Sequence, residues 1–275
     1  MAGTWRIGVC SWSLLPPDAP TLAQWARATG VSAVQLALDP IRLGVMGVEE
    51  VRRSLRDARL VLASGMMAME GEDYSSLRAI RETGGIAPDS TWAANRAAAK
   101  EVSRIAEELG IGLVSFHAGF LPEDPGHPRW DIVIGRLREL ACIFGERGVQ
   151  VALETGQEHH VTLSRALTAL SPERVGVNFD PGNLILYGSG DPVAALRALA
   201  PRVIQVHIKD ALPAREEGHW GTEVPVGEGA VDWAAVLSAL RGCPRVTALV
   251  IEREAGAGRL ADITRAREFL ETVLR

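Results

Sequence analysis

Short apolar runs alternate along the chain with longer segments of helical periodicity. The apolar runs predict strands at Ile7–Ser11, Ala33–Leu38, Leu60–Ser64, Leu113–His117, Val149–Glu154, Val175–Asp180, Val203–His207 and Ala248–Glu252. Alternation of such strands with helical segments favours a parallel sheet that is covered by helices.

A helical segment follows each predicted strand. The predicted helices are Leu22–Thr29, Val48–Ala58, Trp92–Leu109, Arg129–Arg147, Leu163–Leu170, Pro192–Leu199, Trp233–Arg241 and Leu260–Leu274. We expect Asp89 or Ser90, Asp191 and Asp232 to cap the starts of three of them, and Gly110 to follow the end of the third. The pattern predicts a single (β/α)8 TIM barrel over residues 1–275. An open, dinucleotide-binding sheet is disfavoured because no GxGxxG motif follows the first strand.

Two connections are longer than the rest. Residues 66–88 follow the third predicted strand, and residues 209–231 follow the seventh. Both are strand-to-helix connections, which form the active-site face of a barrel.

The composition fits one barrel domain with a balanced surface charge. The chain has 275 residues, 47% of them hydrophobic, and a net charge of −5. We find no basic stripe for a nucleic acid, no apolar run long enough for a membrane span and no secretory signal, so we expect a cytoplasmic protein. Cys10, Cys142 and Cys243 are far apart and are expected to be reduced, mostly buried thiols.

Ionisable residues end the last four predicted strands. They are Glu154, Asp180, His207 and Glu252. The carboxyl ends of barrel strands converge, and three carboxylates brought together would repel one another unless a cation lay between them. Three carboxylates and one imidazole suit a single divalent ion, with Mn²⁺ favoured and Mg²⁺, Co²⁺ or Zn²⁺ as alternatives.

Five short segments, taken in their order along the chain, are similar to those of a known superfamily. The segments LETG, NFDPGN, VHIKD, PVGEGAVDW and VIERE resemble the xylose-isomerase-like barrel superfamily, which contains sugar isomerases and epimerases, a keto-inositol dehydratase and endonuclease IV. In its ketose 3-epimerases the four matching positions bind one metal ion. The resemblance implies that Glu154 and Glu252 are also the catalytic acid and base here.

The chemistry of a sugar isomerase or epimerase is consistent with this arrangement. Removing the proton next to a carbonyl leaves an enediolate, whose negative charge a divalent cation stabilises. Two carboxylates on opposite faces, one removing the proton and the other returning one, would invert a stereocentre. One glutamate working alone would allow a 1,2 shift between aldose and ketose. A keto-polyol dehydratase would share the first step and then expel a hydroxyl group. A non-catalytic sugar-binding subunit is the third alternative.

Asn183 separates this chain from some relatives. Endonuclease IV-like enzymes have a histidine at the matching position, and they also have an Asp-Arg-His run where this chain has Gly221-Thr222-Glu223. Lacking these ligands, the chain is expected to bind one metal ion rather than three and to bind no DNA. Several epimerases use the same histidine to bind a substrate oxygen, so Asn183 suggests a different polyol or keto-sugar.

Other residues are candidates for substrate contacts. We expect His117, Asn183 and Lys209 to bind substrate oxygens, and Trp12 and Trp220 to stack on or close over the substrate. Asp210 is expected to orient a ligand or to cap the loop after the seventh strand. The expected partner is a small sugar or polyol, and the resemblance allows a homodimer or homotetramer.

Overall fold

Eight parallel strands close into a barrel in the computed structural model, which describes residues 5–216 and 218–274. The strands in chain order are β1 (Arg6–Cys10), β2 (Ala33–Ala37), β3 (Val61–Met66), β4 (Leu113–Phe116), β5 (Gln150–Glu154), β6 (Val175–Phe179), β7 (Val203–Ile208), β8 (Asp210–Leu212), β9 (Thr222–Val224) and β10 (Ala248–Ile251). The barrel order is β1-β10-β7-β6-β5-β4-β3-β2, and β8 and β9 form a separate antiparallel hairpin. The predicted barrel is therefore confirmed, and the hairpin is an addition that the sequence pattern did not indicate.

The helices surround this barrel. They are α1 (Ser11–Leu14), α2 (Ala19–Ala28), α3 (Asp39–Arg42), α4 (Val48–Asp57), α5 (Leu77–Thr83), α6 (Asp89–Leu109), α7 (Trp130–Gly145), α8 (His160–Thr168), α9 (Pro181–Tyr187), α10 (Pro192–Leu199), α11 (Trp233–Leu240) and α12 (Arg259–Val273). The predicted segments correspond to α2, α4, α6, α7, α8, α10, α11 and α12. Four short helices, α1, α3, α5 and α9, lie in strand-to-helix connections and were not predicted.

The helix caps are partly as expected. Asp191 and Asp232 accept hydrogen bonds from the backbone N–H groups of Ala194 and Ala235 at the starts of α10 and α11. The expected cap of α6 was wrong, because this helix begins at Asp89 itself, whose carboxylate pairs with arginine side chains instead. Gly110 ends α6 with a φ of 71°, a left-handed conformation that glycine adopts without strain.

Apolar side chains fill the space between the barrel and its helices. Val34, Val114, Val151 and Leu249 are fully buried, and so are Val9, Val177 and Val206 on three further strands. Burial of each such side chain stabilises the fold by about 1.5–3 kcal/mol. The three thiols are free, with Cys10 and Cys243 buried as expected and Cys142 exposed. Among the described residues, the helices are too short or too polar to cross a membrane.

Candidate metal centre

The four ionisable strand-end residues come together at the mouth of the barrel. Glu154 is the last residue of β5, Asp180 directly follows β6, His207 lies near the end of β7 and Glu252 directly follows β10. One potential ligand atom from each lies within 4.8 Å of the others, and all four side chains are buried. The parallel topology produces this convergence because neighbouring strands end at the same face.

His207 is at the centre of this cluster. Its Nδ1 lies 3.3 Å from Glu154 Oε1, 3.5 Å from Asp180 Oδ2 and 3.2 Å from Glu252 Oε2. Among the described residues, neither His207 Nδ1 nor Asp180 Oδ2 has a hydrogen-bond partner, although both atoms are buried. Unpaired buried polar atoms are costly, and a cation bound by them would remove the cost. The donor set and these two atoms fit a divalent metal ion.

Burial and mutual charge shift the pKa values in the cluster when it is metal-free. Burial raises the pKa of Asp180 to about 6. Burial disfavours charge on His207, but Glu154 and the other acidic neighbours outweigh it and raise the pKa of His207 well above its usual value. Burial is likewise outweighed at Glu252, whose pKa Lys209 and His207 hold well below its usual range. The metal-free cluster therefore holds a proton on His207, which a metal ion must displace.

Polar side chains inside the barrel hold His207 in one orientation. Gln35 Oε1 lies 2.7 Å from His207 Nε2, and an amide oxygen can only accept, so Nε2 carries the hydrogen. Gln35 Nε2 donates to Ser115 Oγ at 2.7 Å, and Gln205 Nε2 donates to Gln35 Oε1 at 2.9 Å. This network leaves Nδ1 facing the carboxylates, where it holds the proton in the metal-free protein and can bind a metal ion once that proton has left. The sequence contained a signal for it, because Gln35 and Gln205 interrupt otherwise apolar strands.

Asn178 adds a further contact beneath the cluster. Its Nδ2 donates to Glu154 Oε2 at 3.1 Å and lies 3.0 Å from His207 Nε2, and its Oδ1 accepts from Gln205 at 3.2 Å. Both ends of the amide are thus engaged by groups of the barrel interior. Together these contacts restrict the rotamers of Glu154 and His207.

Lys209 lines the mouth of the barrel and forms ion pairs there. Its Nζ donates to Glu252 Oε2 at 3.1 Å and to Glu254 Oε2 at 2.7 Å. Glu223 Oε2 of β9 is 4.0 Å away. Burial disfavours the ammonium ion, but these acidic neighbours raise the pKa of Lys209 well above its usual value. Lys209 therefore stays charged and partly offsets the negative charge of the cluster.

The other residues expected to contact substrate lie around a cavity above the cluster. Trp12 Nε1 donates to Glu252 Oε1 at 2.6 Å, so its indole N–H orients a carboxylate. His117 Nε2 is 3.6 Å from Glu154 Oε1, and Asn183 Nδ2 donates to the same oxygen at 3.0 Å.

Trp220 and Asp210 belong to the connection that carries the β8–β9 hairpin. Trp220 lines the cavity and packs edge-on against Tyr187 with their ring centroids 4.7 Å apart. Asp210 caps the loop, since it accepts hydrogen bonds from the backbone N–H groups of Gly227 and Val231 and from Trp233 Nε1.

A cavity of about 650 Å³ lies above the cluster. Trp12, His117, Lys209 and Glu252 are among the residues that line it. The long connection after β3 contributes Glu72 and Tyr74, which were not predicted. Glu72 Oε1 accepts from the backbone N–H of Gly85 at 3.0 Å, and Tyr74 donates to its other oxygen at 3.2 Å. This volume lies in the range of about 300–1,000 Å³ that is usual for small-ligand sites.

Comparisons with known proteins agree with this architecture. Residues 23–273 match the family model described as xylose isomerase-like TIM barrel. The chain is 29% identical to a xylose isomerase domain protein from Planctomyces limnophilus, with a TM-score of 0.86 over 99% of this chain and 98% of the other. It shares the fold of an L-ribulose 3-epimerase, with 18% identity and a TM-score of 0.75 over 98% of this chain and 95% of the other.

Three relatives with curated names match parts of the chain. The uncharacterized protein YihM of Escherichia coli is 30% identical over 182 residues, which are 60% of this chain and 51% of YihM. The rhizopine catabolism protein MocC of Rhizobium meliloti is 30% identical over 165 residues, covering 53% and 49%. An inosose dehydratase of Lactiplantibacillus plantarum is 32% identical over 92 residues, covering 32% and 30%. The chain thus spans about half the length of the first two.

Proposed function

We propose that this chain, which belongs to the xylose isomerase-like TIM barrel family, is a metal-dependent isomerase or epimerase of a keto-sugar or sugar phosphate. The observation that carries the proposal is the buried group of Glu154, Asp180, His207 and Glu252 beneath a cavity of ligand size. Relatives of this fold include sugar epimerases, such as the L-ribulose 3-epimerase.

These four residues would hold one divalent ion, for which Mn²⁺ is our first candidate. When bound, the ion would supply Lewis-acid polarisation of a substrate carbonyl and stabilise negative charge next to it. Asp180 and His207 would serve only as ligands. Asp180 also fixes the backbone, because its Oδ1 accepts from the backbone N–H of Asn183 at 2.9 Å.

Glu252 is the residue that we propose as the catalytic base nearest to the substrate. It lines the cavity, and Trp12 and Lys209 each donate to one of its carboxylate oxygens. Both donors favour the ionised form, which can accept a proton from the carbon next to the carbonyl. The proton then leaves for the product or for solvent when Glu252 returns to its carboxylate form.

Glu154 is the second carboxylate that we propose to move a proton. It lies on the strand β5 side of the cluster, where His117 and Asn183 both approach its Oε1. Burial disfavours its ionised form, but His207 and His117 outweigh burial and lower the pKa of Glu154. With two carboxylates, one can remove a proton and the other can deliver one to the opposite face of the carbon, which inverts its configuration.

Dehydration of a keto-polyol is our second candidate. Lys209 motivates it, because this ammonium group contacts Glu252 and lines the cavity. In this reaction Lys209 would donate a proton to the departing hydroxyl group. A relative named as an inosose dehydratase also matches part of the chain. Proton removal by Glu252 would be common to both reactions.

The test is a panel of ketoses, aldoses, keto-inositols and sugar phosphates, incubated with Mn²⁺-loaded protein. Chromatography would detect an isomeric product of unchanged mass, and mass spectrometry would detect a product lighter by one water. We expect Glu154→Gln and Glu252→Gln to abolish turnover, while the exposed Glu173→Gln serves as the matched control. Full activity of both cluster variants would refute the proposal. Purified protein without a bound ion would favour a non-catalytic sugar-binding subunit.

A further inference from the structure

A second cavity of about 580 Å³ opens on the same face of the barrel. Its walls come from the connection after β4, the segment between β5 and α8, and the end of α9. Because these are all strand-to-helix connections or helices within them, the second cavity lies among the same loops that form the mouth of the barrel.

Two neighbouring side chains in this cavity leave buried polar atoms unpaired. Gln157 and Glu158 line it and are only 4% and 7% exposed. Among the described residues, Gln157 Nε2 and Glu158 Oε1 have no hydrogen-bond partner. Gln157 thus offers an amide N–H donor and Glu158 a carboxyl oxygen as an acceptor. Such atoms are seldom left without a partner, so they indicate a ligand or ordered water in the cavity.

Tyr187 connects this second cavity with the one above the metal cluster. Its side chain lines both cavities. Gly156, just before Gln157, has a φ of 146°, and a Cβ atom there would lie 3.1 Å from the Tyr187 ring and 2.7 Å from Asn183 Cβ. Because Gly156 has no side chain, the backbone can pass close to Asn183 and Tyr187 on its way from Glu154 in the cluster to Gln157 in the second cavity. The two cavities therefore adjoin at Tyr187.

The charges around the second cavity are mixed and do not single out an anionic ligand. Arg129 is paired with Asp89, and the Arg81 guanidinium lies over the Phe120 ring, 4.3 Å from its centroid. Glu123 and Asp124 are also among the lining residues. A hydroxyl group, in contrast, can accept from Gln157 and donate to Glu158 at once.

We propose that the second cavity is a subsite for a hydroxyl-bearing unit, such as a glycosyl group, attached to the part of the substrate that reacts at the metal centre. This inference rests on the proposed function and narrows it to substrates larger than a monosaccharide. Burial raises the pKa of Glu158 to about 8, so its carboxyl group is mostly neutral at pH 7 and suited to a neutral partner.

The test compares the binding of D-fructose with that of four glucosyl-fructose disaccharides, turanose, maltulose, leucrose and isomaltulose, which are linked through different hydroxyl groups. Isothermal titration calorimetry on Mn²⁺-loaded protein gives Kd for each ligand, and chromatography of the sample after the titration shows whether the ligand was turned over. Two added hydrogen bonds predict that at least one disaccharide binds roughly tenfold to a hundredfold more tightly than fructose. The double variant Gln157→Leu/Glu158→Leu loses both hydrogen bonds. The ratio of the Kd for fructose to the Kd for that disaccharide should then lie within about twofold of one.

Gln150→Leu is the matched control, because it removes an amide from the opposite end of β5, where Gln150 donates to the carbonyl of Pro172. We expect it to leave the ratio of Kd values unchanged. The subsite is refuted if no disaccharide binds more tightly than fructose, or if the double variant keeps the preference while its melting temperature shows that it is folded. If the double variant does not fold, the single variants provide the same comparison. A preference in binding without any turnover would support the subsite and count against the proposed reaction.

Discussion

The substitution Asp180→Asn should stabilise the metal-free protein and abolish its response to metal. Asp180 Oδ1 caps α9 and Oδ2 faces the cluster without a partner. Asparagine keeps an oxygen for the cap but loses the negative charge. A loss of the cap itself, which typically costs about 1 kcal/mol, is therefore avoided.

The magnitude follows from the raised pKa of Asp180. Burial raises this pKa from 3.8 to about 6. A carboxyl group whose pKa is higher in the folded than in the unfolded state favours folding while it is protonated. This stabilisation is lost as the pH rises through about 6, and the ionised carboxylate then destabilises the fold. The difference between these two pKa values corresponds to about 3 kcal/mol of unfolding free energy at pH 7.5. Asp180→Asn should recover up to this amount, and the gain should vanish as the pH falls to about 4.

The assay is urea and thermal unfolding with EDTA or with Mn²⁺. At a free Mn²⁺ concentration of 100 times Kd, wild-type protein should gain about 2.7 kcal/mol, or roughly 5–10 °C in Tm. Asp180→Asn should gain almost nothing. The matched control is Asp191→Asn, which alters the cap of α10 away from the cluster and should retain the metal response. Equal stabilisation of Asp180→Asn and wild type by Mn²⁺ would refute the reasoning.

Three further substitutions test individual contacts. Gln35→Leu removes the acceptor that fixes the His207 ring and should weaken Mn²⁺ binding about 10–100-fold by calorimetry; unchanged affinity would contradict it. Trp12→Phe removes the hydrogen bond to Glu252 and should lower kcat/KM by roughly tenfold to a hundredfold with metal content unchanged; wild-type kinetics would argue against this contact. Glu158→Gln should flatten the pH dependence of stability, because burial raises the pKa of Glu158 to about 8, and its stabilising protonated form is lost as the pH rises through that value. Denaturant unfolding at pH 6 and pH 9 measures this, and an identical decline in both proteins would contradict it.

The sequence predicted the barrel because strand and helix periods alternate clearly along the chain. Helix boundaries differed where local pairing decided them, as at Asp89, whose carboxylate binds Arg129 and Arg136 rather than capping α6. The start of helix α9 had a signal in Asp180-Pro181, an N-cap followed by proline at the first helical position. The helix has only seven residues, so its apolar periodicity did not indicate it. Asp210 in β8 also accepts from the backbone N–H of Gly227 beyond β9, a contact between distant positions that local propensity does not report.

The four strand-end residues of the site were predicted because their positions follow directly from the topology. The contacts of Lys209 were not, since its partners Glu223 and Glu254 lie on other segments and depend on how the loops fold. The contact between Gln35 and His207 was missed for a related reason, because their β2 and β7 strands lie in different parts of the barrel. Glu72 and Tyr74 were missed because residues 66–88 have no regular pattern.

The most direct test of the account is the fate of the substrate hydrogen. A substrate from the panel would be converted by Mn²⁺-loaded protein in D2O, and the product would be examined by NMR and mass spectrometry. Proton transfer through Glu154 and Glu252 predicts one deuterium from solvent at the carbon that changes. A product that fully retains the original hydrogen at the reacting centre would contradict the account.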